Sequence, residues 1–485
     1  MEKTLERWIA SARVLNEYGK SEDERLFSKV LSEVVETFRP LGVRIFNLSV
    51  NIINHLWNLK SARTAPRKSW LARAIDRLSR EKDVIFVIST GNLLKEDVKH
   101  FIQDTEGYPA YFFNDEAKLL DPAQSALAVT VGSLAHSVLI SGNVPNVQAI
   151  ADKNFPSPFT RCGSGIMGEI KPEVMEYGGN LAFNQNLNTV VNNPSLDIMV
   201  ASNRLSPALT HDSGTSFATP RISFKLAQIL KSIEALENVQ IRPVSAPLLR
   251  AFLINSSQYP DELQSFIETL KKQVSTKHWA NITGYGVPEH DRATNSDEHS
   301  VVMFYQGSLP CNQVALFEIP VPVELSNSRR ETKRLTITVS FAPEVQKWGL
   351  DNYLGTSLKW RLFRGDIDRE EVIAALGKED EENSQEKPEL PDELSGQYGL
   401  QLRSRGTIQH DIFEWKQHKE HFSNNSYTLG IAGFEKWGRK EPPPVPFAVV
   451  ARLEDCGQTT EIYSLVQNIL TRIEISSRVN HNVDD

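Results

Sequence analysis

The feature that most constrains the fold is the uninterrupted apolar run DVIFVIST at residues 83–90, which stops at Gly91. A strand without polar alternation must be covered on both faces, as in a parallel sheet between two layers of helices. Similar β-rich runs and segments with helical spacing of apolar residues surround it, at 24–38, 43–50, 69–82, 126–134, 218–236 and 246–257. This alternation predicts an α/β domain over residues 1–292.

Beyond residue 292 the pattern changes to strands alone. Short β-rich runs recur at 300–307, 312–321, 333–342, 358–365, 426–433 and 446–455. Their spacing and alternation predict an all-β, sandwich-like domain over residues 293–485, joined to the first by a polar linker or surface loop at 289–300. Residues 377–394 are acidic, contain prolines and few apolar side chains, and predict a disordered, solvated insertion rather than a docking site for a basic partner.

Composition excludes several classes of protein. The net charge of −8 disfavours a broad surface for nucleic acid or anionic membranes. The three cysteines, Cys162, Cys311 and Cys456, are far apart and lack C-x-x-C spacing, so neither a disulfide framework nor a zinc site is predicted, and no other metal or cofactor is indicated. No signal-peptide core and no apolar stretch of membrane-spanning length occur, which predicts a cytoplasmic protein.

The string GTSFATP at residues 214–220 combines residue types that have separate physical uses. Gly214 lets another backbone come close, and Ser216 at a helix start lies beside N–H groups that have no intrahelical acceptor. Pro220 is tolerated because the first turn has few intrahelical bonds to lose. Two interpretations stay open: Ser216 is a nucleophile, or Ser216 or Thr215 only caps the helix.

These seven residues, in this order, resemble the serine motif of the subtilisin-like serine peptidases, the subtilases. The resemblance implies that Ser216 is the nucleophile. The stretch VIFVISTGN at 84–92 is similar to the family's strand that ends in Gly-Asn, whose asparagine stabilises the oxyanion of the tetrahedral intermediate. On this sequence the resemblance implies that Asn92 and the backbone N–H of Ser216 form the oxyanion hole.

The resemblance also implies which residues bind a peptide substrate. VRIFNLSVN at 43–51 is similar to the family's strand V-I-N-M-S-L-G, whose end pairs with the substrate, but Asn51 stands where the glycine is expected. A side chain there is expected to narrow the primary specificity pocket. The implied substrate-binding residues are Ser49, Val50, Asn51, Ser89, Thr90, Gly91, Gly214 and Thr215.

Weaker similarity continues through residues 121–134, 157–180 and 284–288, so the resemblance covers residues 10–290. It implies a subtilisin-like parallel sheet with helices on both faces, followed by the all-β sandwich-like domain. Residues 7–19 are similar to the family's stretch just after its histidine helix, where A-x-V-L forms a strand. The sheet is therefore expected to lack its first strands and to expose an edge.

The base and the carboxylate of a catalytic triad are missing from the expected places. A serine hydroxyl needs a base within hydrogen-bond reach, and the base needs a carboxylate that fixes its tautomer. In subtilases these occur in D-[ST]-G and H-G-[TS] motifs upstream of the segment that resembles residues 12–50, yet none of the eleven histidines here precedes a glycine. The D-S-G at 212–214 leads into the serine motif instead, and the position of His211, five residues before Ser216 across a turn, disfavours it as a substitute base.

Two functions are compatible with this pattern. One is the serine-bearing part of an endopeptidase that is N-terminally incomplete, inactive or nearly inactive alone, and completed by an upstream-encoded segment supplying Asp and His. The other is a catalytically dead relative that binds peptide or protein. Residues 334–366 resemble the C-terminal region of large bacterial cytosolic subtilases, some encoded beside an AAA-type ATPase, which implies such an ATPase as a partner; the chain itself has no G-x-x-x-x-G-K-[ST] motif.

Overall fold

The structure is a computed structural model of the whole chain. It describes residues 9–15, 27–51, 68–104, 107–142, 144–165, 168–202, 204, 206–236, 243–273, 279–322, 324–325, 331–346, 353–365, 367–377, 394, 396–415, 426–467 and 473–477. The predicted insertion at 377–394 lies outside these residues except at its two ends, Gly377 and Leu394.

A parallel sheet organises the first part of the chain. Its strands and the shorter strands around it are β1 (Ile45–Leu48), β2 (Ile85–Ser89), β3 (Val129–Leu134), β4 (Val147–Ala149), β5 (Gly163–Ser164), β6 (Ile170–Lys171), β7 (Val174–Tyr177), β8 (Ala182–Asn184), β9 (Thr189–Val191), β10 (Ile198–Ala201), β11 (Leu209–Asp212), β12 (Ser257–Gln258) and β13 (Val287–Pro288). The sheet has the order β1-β2-β3-β7, and each neighbouring pair is parallel. Among the described residues no strand pairs with the outer side of β1, so β1 is an edge strand.

Helices cover both faces of this sheet. They are α1 (Phe27–Phe38), α2 (Trp70–Lys82), α3 (Lys95–Asp104), α4 (Thr215–Glu234), α5 (Ala246–Asn255), α6 (Asp261–Gln273), α7 (Ala280–Thr283) and α8 (His290–Thr294), with 3₁₀ turns at Arg39–Leu41, Ala110–Phe113 and Asp115–Ala117. Ser69 caps α2 by accepting a hydrogen bond from the Ala72 N–H at 3.0 Å. No helix in the described ranges combines the length and apolarity that crossing a bilayer requires.

The apolar run that predicted a doubly covered strand is indeed buried on both sides. All five residues of β2 are buried. Ile85 and Val87 belong to one apolar cluster together with residues of α4 and α5, whereas Phe86 and Ile88 belong to another together with residues of α1 and α2. Alternate side chains of a strand point to opposite faces, so the two clusters are the two layers of helices predicted from sequence.

The second part of the chain is a β-sandwich. Its strands are β14 (Ser300–Leu309), β15 (Gln313–Pro320), β16 (Lys333–Phe341), β17 (Thr356–Arg364), β18 (Ile408–Trp415), β19 (Ser426–Glu435), β20 (Val445–Asp455) and β21 (Ile473–Ser477), and its helices are α9 (Arg369–Gly377), α10 (Gly399–Arg403) and α11 (Ile462–Gln467). Two antiparallel sheets have the orders β14-β20-β16-β18 and β17-β19-β15-β21. Alternate residues of both sheets, among them Ile337 and Leu362, share one apolar core, as expected for face-to-face packing. The mixed fold predicted from sequence, a covered parallel sheet followed by a sandwich, is confirmed.

The outer face of the first sandwich sheet packs against the α/β part. Ala448 and Val450 of β20 belong to the same apolar cluster as Phe252 of α5. The side-chain amide of Asn255, which is buried at the end of α5, donates to the backbone oxygens of Thr336 at 3.1 Å and of Val450 at 3.0 Å. Helix α5 therefore binds the sandwich through both apolar and polar groups.

A polar seam extends this contact toward the amino end of β3. Arg250 donates to the Thr407 hydroxyl at 2.6 Å, and that hydroxyl donates to the backbone oxygen of Ala126. The Tyr353 hydroxyl donates to the Asp76 carboxylate at 2.7 Å. We call the contact made by these five residues the seam. The seam joins residues on both sides of the predicted domain boundary between residues 292 and 293. It does not test that boundary, which therefore stays a prediction.

Four segments differ from expectation. The predicted linker at 289–300 contains α8, and its Arg292 pairs with the carboxylate of Glu454 in β20, so the segment is part of the contact between the two parts. Residues 9–15, which overlap the predicted A-x-V-L strand, are mostly exposed and form no strand. The helix α3 and the strand β18 were not predicted, because charged and polar residues dominate α3 and make up half of β18.

Candidate active site

The first turn of α4 lies over the carboxyl ends of β1 and β2. Ser49, just after β1, donates from its hydroxyl to the backbone oxygen of Ser216 at 3.3 Å. Asn92, just after β2, accepts from the Thr215 N–H at 2.9 Å. Ligands of open α/β sheets bind in the crevice at the carboxyl ends of the strands. The sequence-predicted residues Ser49, Asn92, Thr215 and Ser216 therefore meet at the place where such a sheet offers a binding site.

Contacts with Thr215 fix the orientation of the Asn92 side chain. Its Oδ1 accepts from both the N–H and the hydroxyl of Thr215, each at 2.9 Å. The Nδ2 group makes no hydrogen bond within the described residues, and Asn92 is exposed. A Cβ atom on Gly214 would lie 3.1 Å from this Nδ2, so glycine at 214 leaves the amide room. The amide therefore presents a donor to the solvent beside the start of α4.

Gly91 provides the turn that projects Asn92 out of the sheet. Its φ of +92° is one that residues with a side chain rarely adopt, and a Cβ atom there would lie 2.7 Å from Leu120 Cδ1. The backbone oxygen of Gly91 accepts from the Arg161 N–H at 3.2 Å. Glycine is thus required at position 91 for two reasons: the backbone conformation, and the lack of room for a Cβ atom beside Leu120.

Arg161 also positions this turn, although sequence reasoning did not identify it. Its Nε donates to the backbone oxygen of Asn92 at 3.1 Å, and its Nη1 donates to the backbone oxygens of Glu116 and Lys118 at 2.8 and 3.0 Å. Burial lowers the pKa of the guanidinium, and the charge of Asp97 acts against that effect. A single arginine in the stretch TRCGSG carries no sequence signal for this role.

Ser216 is the second residue of α4 and is half-buried. The first four N–H groups of a helix have no intrahelical acceptor. The neighbouring N–H groups of Thr215 and Phe217 donate to Asn92 Oδ1 and to the backbone oxygen of Gly214. The Ser216 N–H lies between these two in sequence, in the first turn of the helix, where the positive end of the helix dipole favours negative charge.

Asn51 and Ser89 link the two strand ends below Ser216. Asn51 Nδ2 donates to the backbone oxygen of Ser89 at 2.9 Å, and the Ser89 hydroxyl donates to Asn51 Oδ1 at 2.7 Å. Thr90 is fully buried, and its N–H donates to the backbone oxygen of Val131 in β3 at 3.1 Å. Val50 packs against the apolar cluster of α1 and α2. Of the implied substrate-binding residues, Thr90 and Val50 thus have contacts that also serve the fold.

No histidine in the described ranges is hydrogen-bonded to Ser216. His211 is an exposed residue of β11, opposite Met199 of β10. His136 follows β3, and burial together with the charge of Arg221 lowers its pKa. Within the same residues, no group of three or more His, Cys, Asp or Glu side chains is arranged to hold a metal ion.

Comparison with known proteins identifies the family. The sequence profile of the subtilase family, peptidase family S8, matches residues 9–286, which is more than half of the chain. The chain belongs to the subtilase family. The matched residues of this subtilase contain the whole parallel sheet together with Asn92 and Ser216.

Individual proteins similar to this subtilase are distant in sequence. The uncharacterized protein y4bN of Sinorhizobium fredii (strain NBRC 101917 / NGR234) is 27% identical over 435 residues, which are 88% of this chain and 95% of that protein. A crystal structure of the epidermin leader peptide processing serine protease of Staphylococcus aureus is 16% identical, with a TM-score of 0.32, and the match covers 58% of this chain and 56% of that chain. A mutant of the same protease gives the same identity and TM-score, over 56% of each chain.

Proposed function

We propose that this subtilase is the serine-bearing part of an endopeptidase that hydrolyses peptide bonds of a polypeptide substrate through an acyl-enzyme. The observation that supports it most is the orientation of Asn92. Its Oδ1 is bound by Thr215 from both the N–H and the hydroxyl, so its Nδ2 is left free to donate beside the first turn of α4. A cap residue alone would not need an amide held in this way by a strand end 123 residues away in sequence.

The roles of the residues follow from this arrangement. The Ser216 hydroxyl attacks the scissile carbonyl, and the carbonyl oxygen becomes an oxyanion. Asn92 Nδ2 and the Ser216 N–H donate to that oxyanion, and donors aimed at a developing charge stabilise the transition state more than the ground state. The peptide binds between two strand ends in this proposal. One side is formed by Ser49, Val50 and Asn51, and the other by Ser89, Thr90 and Gly91. Gly214 and Thr215 complete the site at the start of α4.

The base and its carboxylate come, in this proposal, from a separate segment that supplies Asp and His. Two observations support it: the described residues give Ser216 no histidine partner, and the outer edge of β1, next to Ser49, has no strand paired to it among them. An unpaired edge offers backbone donors and acceptors to an added strand. A cytoplasmic location and an AAA-type ATPase partner belong to the same proposal and rest on sequence resemblance alone.

A second candidate is a subtilase fold that binds peptide or protein without cleaving it. The observation that favours it is again that no histidine in the described ranges bonds to Ser216. In that case the outward amide of Asn92 would bind a backbone carbonyl of the ligand, and no acyl-enzyme would form.

Labelling with a fluorophosphonate separates the two candidates. The purified chain would be treated with the probe with and without the polypeptide encoded upstream of it. We expect labelling that requires the added polypeptide and is lost in Ser216→Ala, because the probe reacts only with an activated serine. Ser223→Ala, on the same helix, is the matched control and should label as the parent does. No labelling in either mixture would favour the binding module, and labelling of Ser216→Ala would contradict the assignment of the nucleophile.

A further inference from the structure

We propose that the Asn51–Ser89 bridge closes the crevice beside Ser216 to large side chains, so that this subtilase acts on polypeptides at glycine or alanine residues. The proposal rests on the proposed peptidase function and specifies its substrate class. It concerns the residue on the acyl side of the scissile bond, whose carbonyl must reach Ser216.

The position of that residue follows from the two groups that its carbonyl must meet. The carbon must come within reach of the Ser216 hydroxyl and the oxygen within reach of Asn92 Nδ2. Ser216 is tied to the end of β1 through Ser49, and Asn92 comes three residues after the last residue of β2, Ser89. In this proposal the side chain on this residue points toward the gap between the ends of β1 and β2, which lie on either side of these two groups.

A reciprocal pair of hydrogen bonds spans this gap. Asn51 donates to the Ser89 backbone oxygen at 2.9 Å and accepts from the Ser89 hydroxyl at 2.7 Å. Ser89 is fully buried, so moving Asn51 aside would leave a buried hydroxyl and a buried carbonyl without these partners. These hydrogen bonds therefore hold the Asn51 side chain in place, so that it is less mobile than an ordinary surface side chain.

The floor behind the bridge is also filled. Thr90 and Thr160 are both fully buried, and their hydroxyls are 3.4 Å apart. The Thr160 hydroxyl accepts from the Ser133 N–H at 3.0 Å. A Cβ atom on Gly91 would already collide with Leu120. The groups that follow Ser89 are thus packed closely against Thr160 and Leu120, which disfavours an aromatic or long side chain beside the bridge, whereas the hydrogen or methyl group of glycine or alanine needs little space.

Binding of short peptides tests the proposal on the full chain. Fluorescent pentapeptides that differ only in a C-terminal Gly, Ala or Phe carboxylate would be titrated and their Kd values measured by fluorescence anisotropy. We expect the Gly and Ala peptides to bind at least about tenfold more tightly than the Phe peptide, which is the discrimination that a pocket gives for a misfitting apolar group. If the upstream polypeptide restores cleavage, substrates with Gly, Ala or Phe before the scissile bond can be compared. Their kcat/KM values should show the same preference as the Kd values.

Variants of the bridge provide the controls. Asn51→Gly should reduce the Gly-to-Phe preference by about tenfold, because it opens the gap. Asn51→Leu keeps a side chain of similar size and should retain the preference, and thermal unfolding of each variant shows whether it is folded; if Asn51→Gly does not fold, Asn51→Ala replaces it.

Equal affinity of the parent chain for the Gly and Phe peptides would overturn the proposal but leave peptide binding intact. If no peptide bound, the proposed function itself would fail as well.

Discussion

The two ends of the parallel sheet use polar residues in opposite ways. At the carboxyl ends, Asn92 and Ser216 are oriented by their neighbours but keep an amide donor and a hydroxyl without partners among the described residues. At the amino end, the seam bonds each of its polar groups to one from the other part of the chain, as Tyr353 does with Asp76 at 2.7 Å. Polar groups that keep an unused hydrogen-bond donor indicate a binding site. Polar groups that are paired across a buried contact indicate that they hold the two parts of the chain together.

Buried charges make the contrast stronger. Lys171, the last residue of β6, is fully buried beside the amino end of β3. Its ammonium group donates to the Ala128 backbone oxygen at 3.3 Å, to the Thr130 hydroxyl at 3.2 Å and to Glu173. Burial lowers the pKa of Lys171 and raises the pKa of Glu173, and their mutual attraction opposes both shifts. The next carboxylate, Glu169, is buried as well, which raises its pKa, but the charges of Lys68 and Lys171 and its hydrogen bonds together lower that pKa below its usual value.

The largest effect is expected at the amino end. Lys171→Met should lower the free energy of unfolding by about 3–5 kcal/mol, because it leaves the Glu173 carboxylate buried without its cation. Denaturant unfolding followed by circular dichroism measures this. The double variant Lys171→Met/Glu173→Gln should lose less, since it removes the buried charge.

An exposed pair provides the matched control for that prediction. Lys271 contacts Glu268 at 3.1 Å on the surface of α6. Lys271→Met should change the stability by about 1 kcal/mol or less, as is usual for surface pairs. Equal losses in Lys171→Met and Lys271→Met would show that the buried pair has no special structural role.

The next effect is expected at the carboxyl ends and concerns rate rather than stability. If the proposed endopeptidase function holds, Asn92→Ala should slow the serine labelling that the added Asp- and His-bearing segment brings about by about 10²–10³-fold, because it would remove one of the two proposed donors to the oxyanion. Asn92→Asp keeps an oxygen that accepts from Thr215 but has no N–H donor. It should therefore unfold at the parent's temperature and still label slowly. Normal labelling of Asn92→Asp would mean that Asn92 serves only to hold Thr215.

The smallest effect is a pH dependence of the contact between the two parts. His410 of β18 is buried, bonds to the Thr338 hydroxyl at 2.8 Å, and its ring lies 5.1 Å from that of Tyr285. Burial, together with the charge of Arg292, lowers its pKa to about 3. Below the unfolded pKa of about 6.5, only the unfolded chain takes up the proton, so stability is retained above that pH and is lost as the pH falls toward the folded pKa.

Between pH 7.5 and 5.5 this histidine should reduce the free energy of unfolding by about 1.4 kcal/mol. His410→Gln should flatten that part of the pH profile. A profile that is the same in His410→Gln and in the parent would contradict the burial argument.

The same contrast explains what could be predicted from sequence. The carboxyl-end site was found because residues 214–220 and 84–92 are each continuous stretches whose order carries the information. Asp76 and Tyr353 of the seam are 277 residues apart, and nothing in either neighbourhood indicates the other.

Strand β18 was missed for a related reason. Its stretch IQHDIFEW looks polar, yet Gln409, His410 and Asp411 are buried. Gln409 donates to the Leu358 backbone oxygen at 2.6 Å, and Asp411 accepts from Arg403 at 3.2 Å. Alternation of apolar and polar residues predicts a strand with one solvent-exposed face. The prediction fails where the polar side chains are buried and hydrogen-bonded to residues from elsewhere in the chain.

The double contact of Thr215 with Asn92 has one more consequence. Rotating the amide by half a turn would break both contacts and would set its NH₂ group against the Thr215 N–H. The outward donor is thus preorganised by contacts within the protein, and an incoming carbonyl need not reorient it. The same pair would therefore serve a chain that only binds peptides as well as one that cleaves them.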